Sequence, residues 1–202
     1  MTTMPLPSHL LVWRGDVPFL RYAPGALVGG AMGDLQPLFN GLRQKAFSPA
    51  DLREVADLAP YGPRGRWREL AATVATNPWS PAELDAHQFL HRTGFRRWKA
   101  NPLLEVAGRR IRPDVLFEGS RTIFELQSRQ YHAPDEDRTS DWARHNVLTC
   151  AGYTVLHYTP ADLRDRPDAV VRQLLGVVHA REAPAVSTPL APQARWASGM
   201  GP

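Results

Sequence analysis

The sequence predicts an α/β protein: a small mixed sheet flanked by helices, preceded by a helical N-terminal region. Three observations carry this. Two segments open with the same helix-start device, Ser48-Pro49-Ala50-Asp51 and Ser80-Pro81-Ala82-Glu83, each with an N-cap serine, a proline at N1 and an acid at N3. From residue 80 a helical pattern gives way to three short strand-like runs separated by turns, then to helix, strand and helix. The 202 residues and 22.5 kDa supply one ordinary domain with an appendage, or two small ones, with ample chain for a hydrophobic core.

Taken in order, residues 25–45 are loosely apolar and read as helix, and Ser48 opens a second helix that Tyr61-Gly62-Pro63 breaks. Residues 64–76 form a third, and Asn77-Pro78-Trp79 reads as a hinge. The two Ser-Pro-Ala-acid starts are not a repeat, because the residues after them do not match. A helix runs from Ser80 to Thr93 with Gly94 at its C-terminal cap. Strands follow at 103–106, 111–117 and 122–128, and the turns between them, Ala107-Gly108-Arg109 and Glu118-Gly119-Ser120, are short enough for an antiparallel meander. A loop with Tyr131, His132, Pro134 and three acids leads to a helix at 140–151, closed by Gly152. A strand at 153–158 and a helix at 167–179 complete the order. The last stretch, with Pro184, Pro189, Pro192 and Pro202, reads as a disordered tail. The sequence thus divides into a helical region 1–76, an α/β domain 77–181 and a tail 182–202.

Cys150 is the only cysteine, which excludes an internal disulfide and a cysteine-rich zinc site. The run Leu10-Leu11-Val12-Trp13 follows no basic segment, and no run reaches bilayer-spanning length, so a cytoplasmic protein without a membrane partner is expected. The formal charge of +4 is unevenly placed. Residues 77–112 hold seven Lys/Arg against three Asp/Glu, whereas residues 113–202 hold nine against eleven. Arg92, Arg96, Arg97, Lys99, Arg109, Arg110 and Arg112 can neutralise phosphates, the sequence-independent part of nucleic-acid affinity; a solvated face is the competing reading. With 22 Arg against two Lys, part of the charge reflects composition.

The chemistry centres on two strands. Alternate side chains of a strand share a face, so Glu125 and Gln127 project together while Phe124 and Leu126 face the opposite layer. If the strands at 111–117 and 122–128 are antiparallel neighbours, Asp114 comes close to Glu125, and two converging carboxylates need a partner for their charge. A divalent cation serves: Mg²⁺ prefers hard oxygens, commonly one or two carboxylates with waters and a substrate phosphate, and activates water for attack on phosphorus. No Gly-rich phosphate loop, Gly-x-Ser-x-Gly elbow or Cys–His dyad is present.

Pro113-Asp114 followed by Glu125-Leu126-Gln127 resembles the PD-(D/E)XK signature of the restriction-endonuclease-like nucleases, and the helix–strand–strand–strand–helix–strand order resembles that superfamily's core. Glu125, Tyr131-His132, Asp141, Arg144, Leu148, Gly152-Tyr153 and Val155-Leu156 are similar, in order, to a branch of uncharacterised endonuclease-domain proteins allied to the very-short-patch-repair endonuclease. The resemblance covers residues 80–178. It implies a DNA endonuclease using Mg²⁺ or Mn²⁺, with Asp114, Glu125 and the Leu126 carbonyl as metal ligands and Glu83 as an accessory acid. It further implies His132 as a base or supporting group at the site mouth, Asp141 and Arg144 as braces, and Arg96, Arg97, Lys99, Arg109 and Arg110 as the DNA grip. One position departs: the superfamily usually has Lys, and the branch often an acid, where Gln127 stands. Gln orients water in a catalytic site but brings no charge.

Each of these residues has a simpler role to set beside the catalytic one. Glu83 at N3 of a capping box needs no catalytic duty. Asp114 can bond its own backbone at a strand end. Glu125 can be held by Arg112 or Arg144 in an ion pair, and Asp135, Glu136 and Asp137 can be a solvated loop. His87 and His91 at i,i+4 can hold zinc, although Gln88 stands where a metalloprotease helix needs Glu. Trp98 stacks on a base or simply anchors its loop. The expectation is therefore a metal-dependent DNA endonuclease, with two rivals: a nuclease-fold protein that binds nucleic acid without cleaving it, and a protein-interaction module.

Overall fold

The computed structural model describes residues 8–58, 61–127 and 135–182. It is α/β: among the described residues, eight α-helices accompany a mixed four-stranded sheet and two two-stranded hairpins. No helix among them is long and apolar enough to cross a membrane.

The beginning adds a hairpin to the expected helical region. Leu11–Arg14 (β1) and Val17–Leu20 (β2) pair as a hairpin turned at Gly15, whose φ of 59° suits a two-residue turn. Four helices follow: Tyr22–Ala31 (α1), Gln36–Arg43 (α2), Pro49–Leu58 (α3) and Tyr61–Thr73 (α4). They bury Leu27, Leu38, Phe39, Leu52, Trp67 and Val74 in one cluster. The helix expected over 25–45 is two, because Gly33 turns left-handed at φ 100° and Asp34 Oδ1 accepts from the Gln36 amide at 3.0 Å to restart the chain. Tyr61-Gly62-Pro63 opens α4 instead of breaking a helix, since Pro63 falls in the first turn, where its missing N–H goes unused. At α3 the foreseen cap forms, the Asp51 amide donating to Ser48 Oγ at 3.2 Å and the Ser48 amide to Asp51 Oδ2 at 2.7 Å.

The second half holds Pro81–Arg92 (α5), Lys99–Ala100 (β3), Leu104–Val106 (β4), Arg109–Ile111 (β5), Val115–Phe117 (β6), Thr122–Leu126 (β7), Asp135–Cys150 (α6), Thr154–Tyr158 (β8), Pro160–Asp165 (α7) and Pro167–Glu182 (α8). The sheet runs β3-β6-β7-β8, antiparallel at its first two pairings and parallel at β7–β8, with α6 as the crossover. This corrects the expected meander. Among the described residues the strand expected at 103–106 pairs with β5 alone, in a separate hairpin turned at Ala107 and Gly108 with φ of 48° and 71°. The strand expected over 111–117 is two strands, because Pro113 offers no amide to a ladder. The short β3 takes the sheet edge instead. Helix α6 spans Asp135–Cys150, so the acidic run expected as loop is helical. The tail beyond Glu182 lies outside the described residues.

Alternation along the strands divides the sheet into two faces. Val115, Phe117, Phe124 and Tyr158 pack on Phe89 and Leu90 of α5 and on Val170, Leu174 and Val178 of α8. Leu116 and Ile123 pack on Leu148 of α6, together with Val106 and Ile111 of the β4–β5 hairpin.

Candidate active site

Extending the β6–β7 register one step beyond Val115–Phe124 sets Asp114 opposite Glu125. Residues paired in this way share a face, here the one covered by α6, on which Ile123 meets Leu148. Asp114 Oδ2 accepts from the Leu126 amide at 2.7 Å. Glu125, 8% exposed, accepts from Arg144 Nη2 at 2.7 Å through Oε1, and the same nitrogen donates to the Arg112 carbonyl at 2.9 Å. Arg144 thus ties the acid on β7 to the chain just ahead of β6. Burial pushes the Glu125 carboxyl up to about 7, the charge of Asp114 adds to the rise, and Arg144 opposes both. Asp114 is pushed up to about 6, first by burial; the Leu126 amide opposes this and the charge of Glu83 adds to it.

Glu83 therefore stands within the field of the pair while its oxygens serve the start of α5. Its Oε2 accepts from the Trp79 amide at 2.9 Å and from Asn101 Nδ2 at 2.8 Å, and its Oε1 from the Ser80 hydroxyl at 3.2 Å. Asn101, which sequence reasoning missed, joins the elements around the site. Its Nδ2 also donates to the Asn77 carbonyl, its own carbonyl accepts from Arg112 Nη1 at 3.0 Å, and its amide donates to the Asp114 carbonyl at 3.0 Å. The signal was an Asn before a Pro, here at a left-handed φ of 50°.

The remaining candidates are dispersed. Gln127 Nε2 lies 3.3 Å from His157 Nδ1. The Leu126 side chain packs in the opposite core, and its amide, not its carbonyl, is the group placed on Asp114. His132 lies outside the described residues; Asp141 falls within α6, but its side chain lies outside them. The five basic candidates are all exposed yet fall in two separate stretches, the loop that leads into β3 and the strand β5. Arg96 donates to the His91 carbonyl at 2.6 Å, Lys99 of β3 pairs with Glu118 at 2.7 Å, Arg97 lies between them, and Arg109 and Arg110 lie on β5. His87 and His91 each lie tilted against the Trp98 ring, with centroids at 4.9 and 5.2 Å, and Trp98 anchors its loop by donating to the Phe95 carbonyl. His87 is 1% exposed, with Nδ1 2.9 Å from Thr76 Oγ1.

Two adjacent carboxylates match Mg²⁺, or Mn²⁺ as a second oxygen-seeking cation, because such an ion keeps several waters and needs few protein ligands. Among the described residues no group of three His, Cys, Asp or Glu side chains is placed to hold a metal, so no all-protein cage is built among them. The donor set therefore fits a hydrated Mg²⁺ completed by phosphate oxygens, with Arg144 already on one oxygen of Glu125. No protein-family model, curated protein or solved structure matches this chain.

Proposed function

We propose that the chain is a Mg²⁺- or Mn²⁺-dependent endonuclease of the restriction-endonuclease-like class, hydrolysing DNA phosphodiester bonds at Asp114 and Glu125. The observation that carries this reading is the juxtaposition of buried Glu125 and half-buried Asp114 at the end of one antiparallel pair, both pushed above the usual carboxylate range. Such a pair costs free energy to charge unless a cation joins it. The order of α5, β3, β6, β7, α6 and β8 supports the class assignment, since it presents the acids on paired central strands with a helix before and a helix after.

Bound Mg²⁺ would neutralise phosphate charge and activate a water for attack on phosphorus. The chain's own residues prepare that step. The Leu126 amide aims Asp114, leaving Oδ1 for the cation. Arg144 orients Glu125 and brings a guanidinium, suited to a phosphate oxygen, beside the pair. Exposed Arg97, Arg109 and Arg110 offer phosphate contacts, which position a duplex without reading its sequence.

A second reading, binding without turnover, is favoured by the Glu125–Arg144 bond and by Gln127, which supplies no charge and meets His157. Labelled duplex DNA, single-stranded DNA and RNA, incubated over a salt series with Mg²⁺, Mn²⁺ or EDTA, separate the two. Metal-dependent product that Asp114→Ala/Glu125→Ala fails to form supports hydrolysis; salt-dependent binding without product supports the second reading; no binding at any salt contradicts both.

A further inference from the structure

We propose that His145 and His157 form a second cation site, for a borderline transition metal such as Zn²⁺, on the open rim beside the acidic pair. The site does not depend on the nuclease reading. His157 is the register partner of Glu125 across β7–β8 and so shares its face. Helix α6, which sends Arg144 to Glu125, sends the next residue, His145, to His157. His157 is exposed and His145 half-buried, so an ion reaches them from solvent.

The two rings meet through one nitrogen of each. His157 Nε2 lies 3.4 Å from His145 Nδ1, and the rings are inclined by 28° with centroids 5.6 Å apart. That separation is at the long limit of a hydrogen bond. Two imidazole nitrogens at about 2.0–2.1 Å from one tetrahedral metal stand roughly 3.3–3.4 Å apart. The nitrogens are thus already spaced for a shared ion.

The other side of His157 is also prepared. Gln127 reaches Nδ1 at 3.3 Å, and a half-turn of its amide puts Oε1 there to accept the Nδ1 proton, leaving the Nε2 lone pair for the metal. A Gln where the resemblance leads one to expect Lys thus gains a role: a Lys ammonium has no acceptor for that proton. Imidazole donors select Zn²⁺, Ni²⁺ or Cu²⁺ over Mg²⁺, so the two sites differ in the ions they take. Among the described residues no third His, Cys, Asp or Glu joins the pair.

The test is Zn²⁺ titration of the metal-free full chain against a chromophoric chelator, with imidazole nitrogen resonances followed in parallel. The expected result is one equivalent bound, the His145 and His157 resonances moving together, and affinity falling at least about tenfold in His145→Ala and in His157→Gln. Millimolar Mg²⁺ leaves the Zn²⁺ in place, and Asp114→Asn keeps it. The proposal is overturned if wild type takes up no equivalent, if other histidines shift instead, if either His variant binds as tightly as wild type, if Mg²⁺ displaces the Zn²⁺, or if Asp114→Asn abolishes binding. The two substituted positions lie outside the buried clusters, and melting of the metal-free variants shows that each chain is folded.

Discussion

Asp114 accepts the amide proton of Leu126 while standing opposite Glu125, so the two acids are joined through the backbone of β7 as well as through the strand register. A carboxylate so fixed cannot swing away from its neighbour to relieve repulsion. Only a proton, a guanidinium or a cation relieves it, and Arg144 does so on one oxygen of Glu125.

The first consequence is a pH dependence of stability. Glu125 rises from an ordinary 4.5 to about 7, so the folded state binds more protons than the unfolded one between those values, and stability falls as pH rises through them. Glu125→Gln removes that loss. Its stability relative to wild type is expected to rise between pH 5 and pH 8 by on the order of 2 kcal/mol. Thermal melts across this range check it, and parallel profiles for the two proteins contradict it.

Removing the counter-charge acts in the opposite sense. Arg144→Ala leaves Glu125 without its guanidinium, at an expected cost near pH 8 of about 1–3 kcal/mol, discounted because the Arg144 side chain is 35% exposed. Adding Glu125→Gln to that variant should recover a large part of the loss. A double-mutant cycle in urea measures the coupling, and additive effects would show the ion pair to be energetically idle.

How much of this was legible follows from range. The Ser48–Asp51 and Ser80–Glu83 caps are local, and both formed as read. The face shared by Glu125 and Gln127 came from strand alternation, which the packing of Phe124 and Leu126 in the opposite core bears out. Arg144 was legible as one of two partners for Glu125, but choosing it over Arg112 required the β7–α6 crossover. The two-residue β3 carries no alternation to detect, and the departure of β4–β5 from the sheet depends on where the chain after Pro113 rejoins it. Asn101 and the His145–His157 contact depend on residues many positions apart, which no local pattern signals.

A third expectation concerns His87. Burial pushes it from 6.5 down to about 4, so the unfolded state binds the extra proton and stability is lost as pH falls from about 6.5 towards 4. His87→Gln, which keeps a polar group within reach of Thr76, should flatten this acid limb while leaving the alkaline side unchanged. Urea midpoints at pH 4.5 and 7.5 decide it; an unaltered acid limb would mean that His87 charges freely in the folded protein.

The helical region gives a fourth. The Phe47 ring occupies the space a Cβ on Gly41 would need, and both residues are buried. Gly41→Ala should destabilise the protein by about 1–3 kcal/mol through overpacking, despite the better helix propensity of alanine. Gly41→Ala/Phe47→Leu should regain part of that loss, and melting temperatures that ignore both changes would contradict the packing.

The central claim, that Asp114 just ahead of β6 and Glu125 opposite it on β7 hold the cation of a hydrolase, is tested most directly by nicking of supercoiled plasmid DNA with Mg²⁺ and with EDTA, comparing wild type with Asp114→Asn and Glu125→Gln. The account predicts nicking that requires Mg²⁺ and falls at least about a hundredfold in each folded variant. Nicking that persists undiminished in both variants, or a wild-type protein that binds the plasmid and leaves it intact with every divalent cation, would contradict it.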